Sequence, residues 1–147
     1  IDINSSKIIL DDEEMQRFVD VASVEFKNRH QGWKYGNGII FIMYSFLRVG
    51  EAVALKWKDV NFENKTVDIY KTMSCIQDRS DSINKEKWVI TTTKTASGRR
   101  TNILSDKAID ALKKHFDSMA QGRTMEEMKN HYVFETYCGS FVKPPNL

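Results

Sequence analysis

Two cations in this chain stand where they could do chemistry. Arg48 follows a run that is apolar on every side, Ile39 to Leu47, and Glu51 comes three residues after it. A guanidinium is a planar fork of N–H donors that matches the oxygens of a carboxylate or a phosphate. At the end of a buried element its charge requires an anionic partner. Glu51 supplies part of that partnership, and a phosphate could supply the rest. The plainer reading is an Arg48–Glu51 pair at i,i+3 that holds a helix end and contributes under about 1 kcal/mol. On spacing alone that reading is the commoner one, since ion pairs outnumber sites. The second cation is Lys94, which opens the turn Lys94 to Gly98. Taken alone, it is an ordinary turn lysine.

The elements around these residues follow from local pattern. Ile39–Leu47 reads as a buried helix, too short to cross a membrane. Gly50 then allows a turn, and Ala52 to Leu55 is a second apolar piece leading to Trp57. Upstream, Asp11 starts a helix, with Glu14 completing a capping box. Met15, Phe18, Val19, Ala22 and Phe26 recur at helical spacing, so one face of it is expected to be buried. Residues 28–38 read as loop, with Trp33 and Tyr35 packing onto the core. Downstream, Thr66–Tyr70, Trp88–Thr93 and Arg99–Leu104 read as three strands of a small antiparallel sheet. Between the first two lies a polar stretch, Ser74 to Glu86, expected to be a long loop or ragged hairpin. Ser105 caps a further helix lined by Ala108, Ile109, Leu112, Phe116 and Met119 and ended by Gly122. Thr124 and Glu127 form a capping box for a short helix. Val133–Phe134 is extended, Tyr137–Ser140 is a turn, and Pro144 is placed to open another helix.

The 147 residues suffice for one ordinary domain with a core. With 41% hydrophobic and 29% charged residues, the composition is that of a soluble globular chain. No stretch reads as a transmembrane helix or a signal peptide. Net charge is +2, from 22 basic and 20 acidic residues, too mild to identify a polyanionic partner. The distribution says more: Lys85, Lys87, Lys94, Arg99, Arg100, Lys107, Lys113 and Lys114 gather in the second half, either a solvated basic face or a steering patch. Cys75 and Cys138 read as free thiols in a reducing cytoplasm. His30, His115 and His131 have no ligand spacing and read as structural or surface residues. Ile1 in place of an initiator methionine, and a helix signal at the very end, lead us to expect a piece of a longer chain.

Residues 45–60, SFLRVGEAVALKWKDV, resemble the first conserved box of the tyrosine recombinases, the phage-integrase family. There a helix ends at Thr-Gly-Leu-Arg, followed by Gly-Glu and Leu-x-Trp-x-Asp-Val/Ile. Residues 93–101, TKTASGRRT, and the exit through Ile103 to Asp106 resemble the family's lysine-bearing hairpin turn. Val133–Phe134 and the turn at Gly139 resemble the segment before the second box. The resemblance covers nearly the whole chain, with one local departure: the family's usual glycine before Leu-Arg is Phe46 here. It implies an α+β fold, mainly helical with a three-stranded antiparallel sheet. Residues 1–147 would be a partial catalytic domain, without the N-terminal core-binding domain, the His-x-x-Arg box or the nucleophilic tyrosine. Tyr132 and Tyr137 precede the second box and are read as structural.

The activity implied is site-specific DNA recombination through a 3′-phosphotyrosine, with no metal or other cofactor. Arg48 would grip non-bridging phosphate oxygens, and Lys94 would protonate the departing 5′ oxygen. Glu51 would support Arg48 from behind. Lys71, Arg99 and Arg100 would contact DNA. The partners implied are double-stranded DNA and further copies of the full-length protein, a tetramer on DNA; the compartment is cytoplasmic. The fragment alone is expected to be inactive. The rival readings are a non-catalytic DNA-binding or assembly module on the same scaffold and, less well matched, a topoisomerase-IB-like strand nicker.

Overall fold

A computed structural model of the chain describes residues 10–24, 34–77, 86–93 and 98–147. Helix α1 (Asp12–Ala22) starts where the capping signal places it: Asp11 accepts from the Glu14 N–H at 2.8 Å, and Glu14 accepts from the Asp11 N–H at 3.0 Å. Its apolar face is less covered than its periodicity suggests. Val19 and Ala22 pack on the core, but Phe18 and Val21 stay exposed and no residue of the helix is buried. The helix leans chiefly on α2 among the described elements, so only an edge of its stripe is used.

Helix α2 (Gly36–Ser45) begins earlier than its apolar run suggests, inside the stretch that reads as loop. The glycines there serve close packing. A Cβ on Gly38 would stand 2.5 Å from Cε1 of Phe134, a fully buried ring, and 3.2 Å from the His115 ring. With no side chain at Gly38, α2 lies directly against α4 (Asp106–Ala120) and the segment around Phe134. Ile40 and Phe41 bury from α2, while Ala108, Ile109, Ala111, Leu112 and His115 bury from α4. Ser105 caps α4 through the Ala108 N–H, and Gln121 ends it in a left-handed conformation, φ 50°, one residue before Gly122.

The strands form two sheets, where the sequence pattern suggests one. β1 (Val60–Asn61) pairs with β2 (Thr66–Ile69), and β2 with β5 (Arg100–Ile103), all antiparallel. β3 (Lys71–Gln77) and β4 (Glu86–Thr92) form a separate two-stranded ribbon. The three-stranded sheet therefore exists with different members. The strand at Trp88 pairs with Lys71–Gln77, half of which reads as loop from sequence, and Val60–Asn61 completes the other sheet. The cause is the nesting of the chain: β3 follows β2 after a single residue, so the ribbon grows outward while β5 returns to β2.

Trp57 is buried in a single 3-10 turn, Trp57–Asp59, and packs edge-on against Phe116 at 4.9 Å between ring centres. After the short helix α5 (Met125–Met128), Val133 and Phe134 run buried beside α4, and a Glu135–Phe141 bridge closes the turn around Gly139, φ 75°. Pro144–Asn146 forms one 3-10 turn. Among the described residues no helix is long and apolar enough to cross a membrane. Trp33, His30 and Lys94 lie outside the described residues.

Candidate phosphate-binding site

Arg48 is placed by what flanks it. Helix α2 ends at Phe46, whose left-handed backbone, φ 56°, turns the chain sharply. Leu47 then drops into the core, and Arg48 becomes the N-cap of helix α3 (Val49–Val53). The next turn, Ala52 to Leu55, is buried again. An exposed residue is thus rooted between two anchored segments, with its side chain at the positive end of a short helix.

Glu51 bonds the Arg48 backbone and feels the Arg48 guanidinium only through its charge. The carboxylate accepts from the Arg48 N–H at 3.0 Å, and among the described residues it makes no ion pair with the Arg48 side chain. Its salt-bridge partner is Arg100. The Arg100 guanidinium donates to both Glu51 oxygens, at 3.0 and 2.8 Å, a fork-to-fork pairing. The Glu51 side chain is only 5% exposed. Burial pushes the Glu51 carboxyl up, but the bonds from Arg100 and from the Arg48 N–H outweigh it and hold it below the usual carboxylate range. Glu51 is therefore a buried carboxylate with its charge already matched.

Gly50 does not make the turn expected of it. It lies inside α3, and a Cβ there would stand 2.6 Å from the Met73 carbonyl oxygen. The missing side chain lets α3 sit on the backbone of β3. The described part of this ribbon ends at Thr93, one residue before Lys94. The Thr93 N–H bonds the Tyr70 carbonyl at 3.0 Å. Gly98 lies close by, where a Cβ would meet that of Thr93 at 2.6 Å. Two residues beyond Gly98 comes Arg100, bonded to Glu51. The start of β5 and the backbone of Arg48 are thus joined through one carboxylate.

The expected DNA contacts divide. Arg99 is exposed. The Lys71 ammonium pairs with buried Asp59 at 3.2 Å and lies 4.3 Å above the Tyr70 ring. Burial pulls its pKa down, yet the bond to Tyr70 and the Asp59 charge raise it overall. The Arg100 fork is directed at Glu51. Sequence reasoning misses the Arg100–Glu51 pair because Ile103, on the same strand, looks like the inward residue. In fact Ile103 is 85% exposed, and Arg100, opposite Ile69 in the ladder, turns toward the core. The available signal is the alternation of Arg100 and Asn102 against Thr101 and Ile103.

Residues 9–137 match the model of the Phage integrase family. The chain belongs to this family. It is 23% identical over 141 residues to a tyrosine recombinase XerC-like protein of Caldanaerobacter subterraneus subsp. tengcongensis, covering 91% of this chain and 36% of that protein. It is 32% identical over 87 residues to the integrase of Staphylococcus phage L54a, covering 59% of this chain and 22% of that one. Among solved structures, the Tn1549 transposon integrase in complex with circular intermediate DNA superposes with a TM-score of 0.69 at 17% identity, over 97% of this chain and 43% of that one. XerA recombinase superposes at 0.59 and 17% identity, over 94% and 38%. The fold is accordingly the mixed α/β fold of phage-integrase catalytic domains, with small antiparallel sheets. The chain spans about a third of the length of the XerC-like relative. Phe46, two residues before Arg48, takes a left-handed conformation.

Proposed function

We propose that this chain is the first part of the catalytic domain of a tyrosine-type site-specific recombinase, one that integrates or excises a mobile element. The observation that carries the proposal is the exposed Arg48 side chain at the start of α3, its backbone held by a carboxylate whose charge Arg100 has already taken. A guanidinium so placed is rigid at its root and uncommitted at its tip, which suits an incoming phosphate.

In the proposed reaction a tyrosine hydroxyl from the remainder of the full-length protein attacks the scissile phosphorus. The new O–P bond forms as the bond to the 5′ oxygen breaks. Arg48 stabilises the charge on the non-bridging oxygens of the phosphorane-like transition state. Lys94 gives its proton to the departing 5′ oxygen. The phosphodiester energy is kept in the 3′-phosphotyrosine, so rejoining needs only the reverse attack. The partner is double-stranded DNA, and the second arginine, the histidine and the nucleophile are assigned to sequence beyond this chain.

The test is a suicide substrate incubated with the full-length protein in the presence of a chelator and resolved on a denaturing gel. A covalent protein–DNA adduct is expected, and Arg48→Ala should remove most of it, a loss of about 3 kcal/mol or more in transition-state stabilisation. Adduct formation that depends on added Mg²⁺ overturns the recombinase reading. DNA binding without any adduct supports a non-catalytic module instead.

A further inference from the structure

The geometry points to Arg100 as a positioning residue for Arg48, acting through Glu51 and making no phosphate contact of its own. This rests on the recombinase reading above. A carboxylate buried three residues after an arginine has two ways to be satisfied. It can capture the arginine's guanidinium, or it can bond the backbone and take its counter-charge elsewhere. Here it takes the second way. One Glu51 oxygen, Oε2, accepts both the Arg48 N–H at 3.0 Å and Arg100 Nη2 at 2.8 Å, while Oε1 accepts Arg100 Nη1 at 3.0 Å.

Two consequences follow. The Arg48 side chain is spared direct competition: both Glu51 oxygens are taken by Arg100, so Glu51 acts on the Arg48 guanidinium through charge alone and holds it by no bond against an incoming phosphate. Arg100 also opens β5, so the bond ties the start of that strand to the first residue of the phosphate grip. A lysine at position 100 could match the charge but not the two parallel bonds that fix the angle.

The experiment uses the full-length protein and two variants, Arg100→Met and Arg100→Met/Glu51→Gln. DNA affinity is measured against salt, and adduct formation is measured on substrates with a 5′ oxygen or a 5′-bridging sulfur leaving group. Arg100→Met should slow adduct formation at least tenfold on both substrates, since Arg48 serves the phosphate in each. The salt slope of the double variant, in which no carboxylate is left to capture Arg48, should equal that of the wild type. The double variant should recover several-fold over Arg100→Met, because the neutral amide that replaces the Glu51 carboxylate can still accept the Arg48 N–H through its carbonyl but no longer captures the guanidinium. Circular dichroism accompanies each measurement. If Arg100→Met does not fold, the double variant, which buries no unpaired charge, carries the test: wild-type salt slope with slower adduct formation is then expected.

A salt slope reduced by about 0.9 in the double variant, the signature of one lost phosphate contact, overturns the inference and makes Arg100 a DNA-backbone ligand. Adduct formation at the wild-type rate in a folded variant overturns it too. A wild-type protein that forms no adduct overturns the recombinase reading, and this inference falls with it.

Discussion

The Met73 carbonyl oxygen occupies the space that a side chain on Gly50 would need, 2.6 Å from the position of its Cβ. Helix α3 therefore rests on the β3 backbone at a distance only glycine permits. The obstacle is main chain in a paired strand, so it cannot swing aside as the end of a flexible side chain would. Gly50→Ala should destabilise the fold by about 1–3 kcal/mol despite the better helix propensity of alanine, which offsets about 1 kcal/mol. Because α3 begins at Arg48, adduct formation should fall even at temperatures where the variant stays folded. Urea unfolding and the suicide-substrate gel, run side by side, check both statements; unchanged stability would show that the helix seat has room to spare.

Phe46 offers the opposite substitution. Its backbone is left-handed and the residue is 89% exposed, so it bears a conformational cost with little burial in return. The left-handed conformation costs a side-chain-bearing residue about 1–2 kcal/mol, while glycine gives back roughly 0.5–1 kcal/mol through the freedom of its unfolded chain. Phe46→Gly should thus stabilise by about 0.5–1 kcal/mol, visible as a raised unfolding midpoint with an unchanged denaturant slope. A lower midpoint would mean that the ring packs on something beyond the described residues.

His115 supplies a pH dependence. Its ring is buried between Trp57 and Phe134, and its Nε2 lies 2.8 Å from the Val133 carbonyl oxygen, to which Nε2–H donates. Burial pushes its pKa down from 6.5 to about 4, although the Val133 carbonyl favours the proton. In the unfolded chain the same ring titrates near its ordinary value. Between these two values the unfolded chain takes up a proton that the folded one refuses. Stability is therefore full above the unfolded value and falls as the pH drops toward about 4, by up to about 3 kcal/mol. Glu51, held low in the fold, adds its own loss only below the ordinary carboxylate range. Unfolding midpoints at roughly pH 7, 6 and 5 should decline in the wild type and stay flatter in His115→Gln. Parallel declines would assign the effect to another group.

Lys94 is tested by its leaving group. Lys94→Ala in the full-length protein should slow cleavage at a 5′ oxygen and be largely rescued by a 5′-bridging sulfur, which departs without a proton. Equal slowing on both substrates would leave Lys94 a phosphate-binding lysine only.

What is legible in the sequence is what depends on near neighbours. The Asp11–Glu14 box, the Ser105 cap and the inner face of α4 need only residues three or four apart, and each stands in the structure where local pattern puts it. The closeness of Arg48 and Glu51 is legible for the same reason; the atom that bonds is not, because Arg100, forty-nine residues from Glu51, decides it. The sheet membership escapes sequence reasoning because pairing is a choice among distant partners, and one strand's pattern does not name its neighbour. The glycines at 38 and 50 look like turn formers because glycine permits both turns and close contact, and only the opposing surface tells which.

The nested pairing of the strands also sets an order of assembly. Gln77 and Glu86, at the far end of the ribbon, are nine residues apart, whereas Thr66 and Ile103 are thirty-seven apart. Closing the shorter loop first costs less chain entropy, and zipping the ribbon down to Lys71 and Thr92 then brings β5 toward β2. Ile69–Arg100 is the rung nearest the ribbon, so it is the first of the β2–β5 ladder within reach. On this route the contact that steadies Arg48 waits for two successive closures. A destabilised ribbon would slow the chain's folding before it altered anything in the finished site.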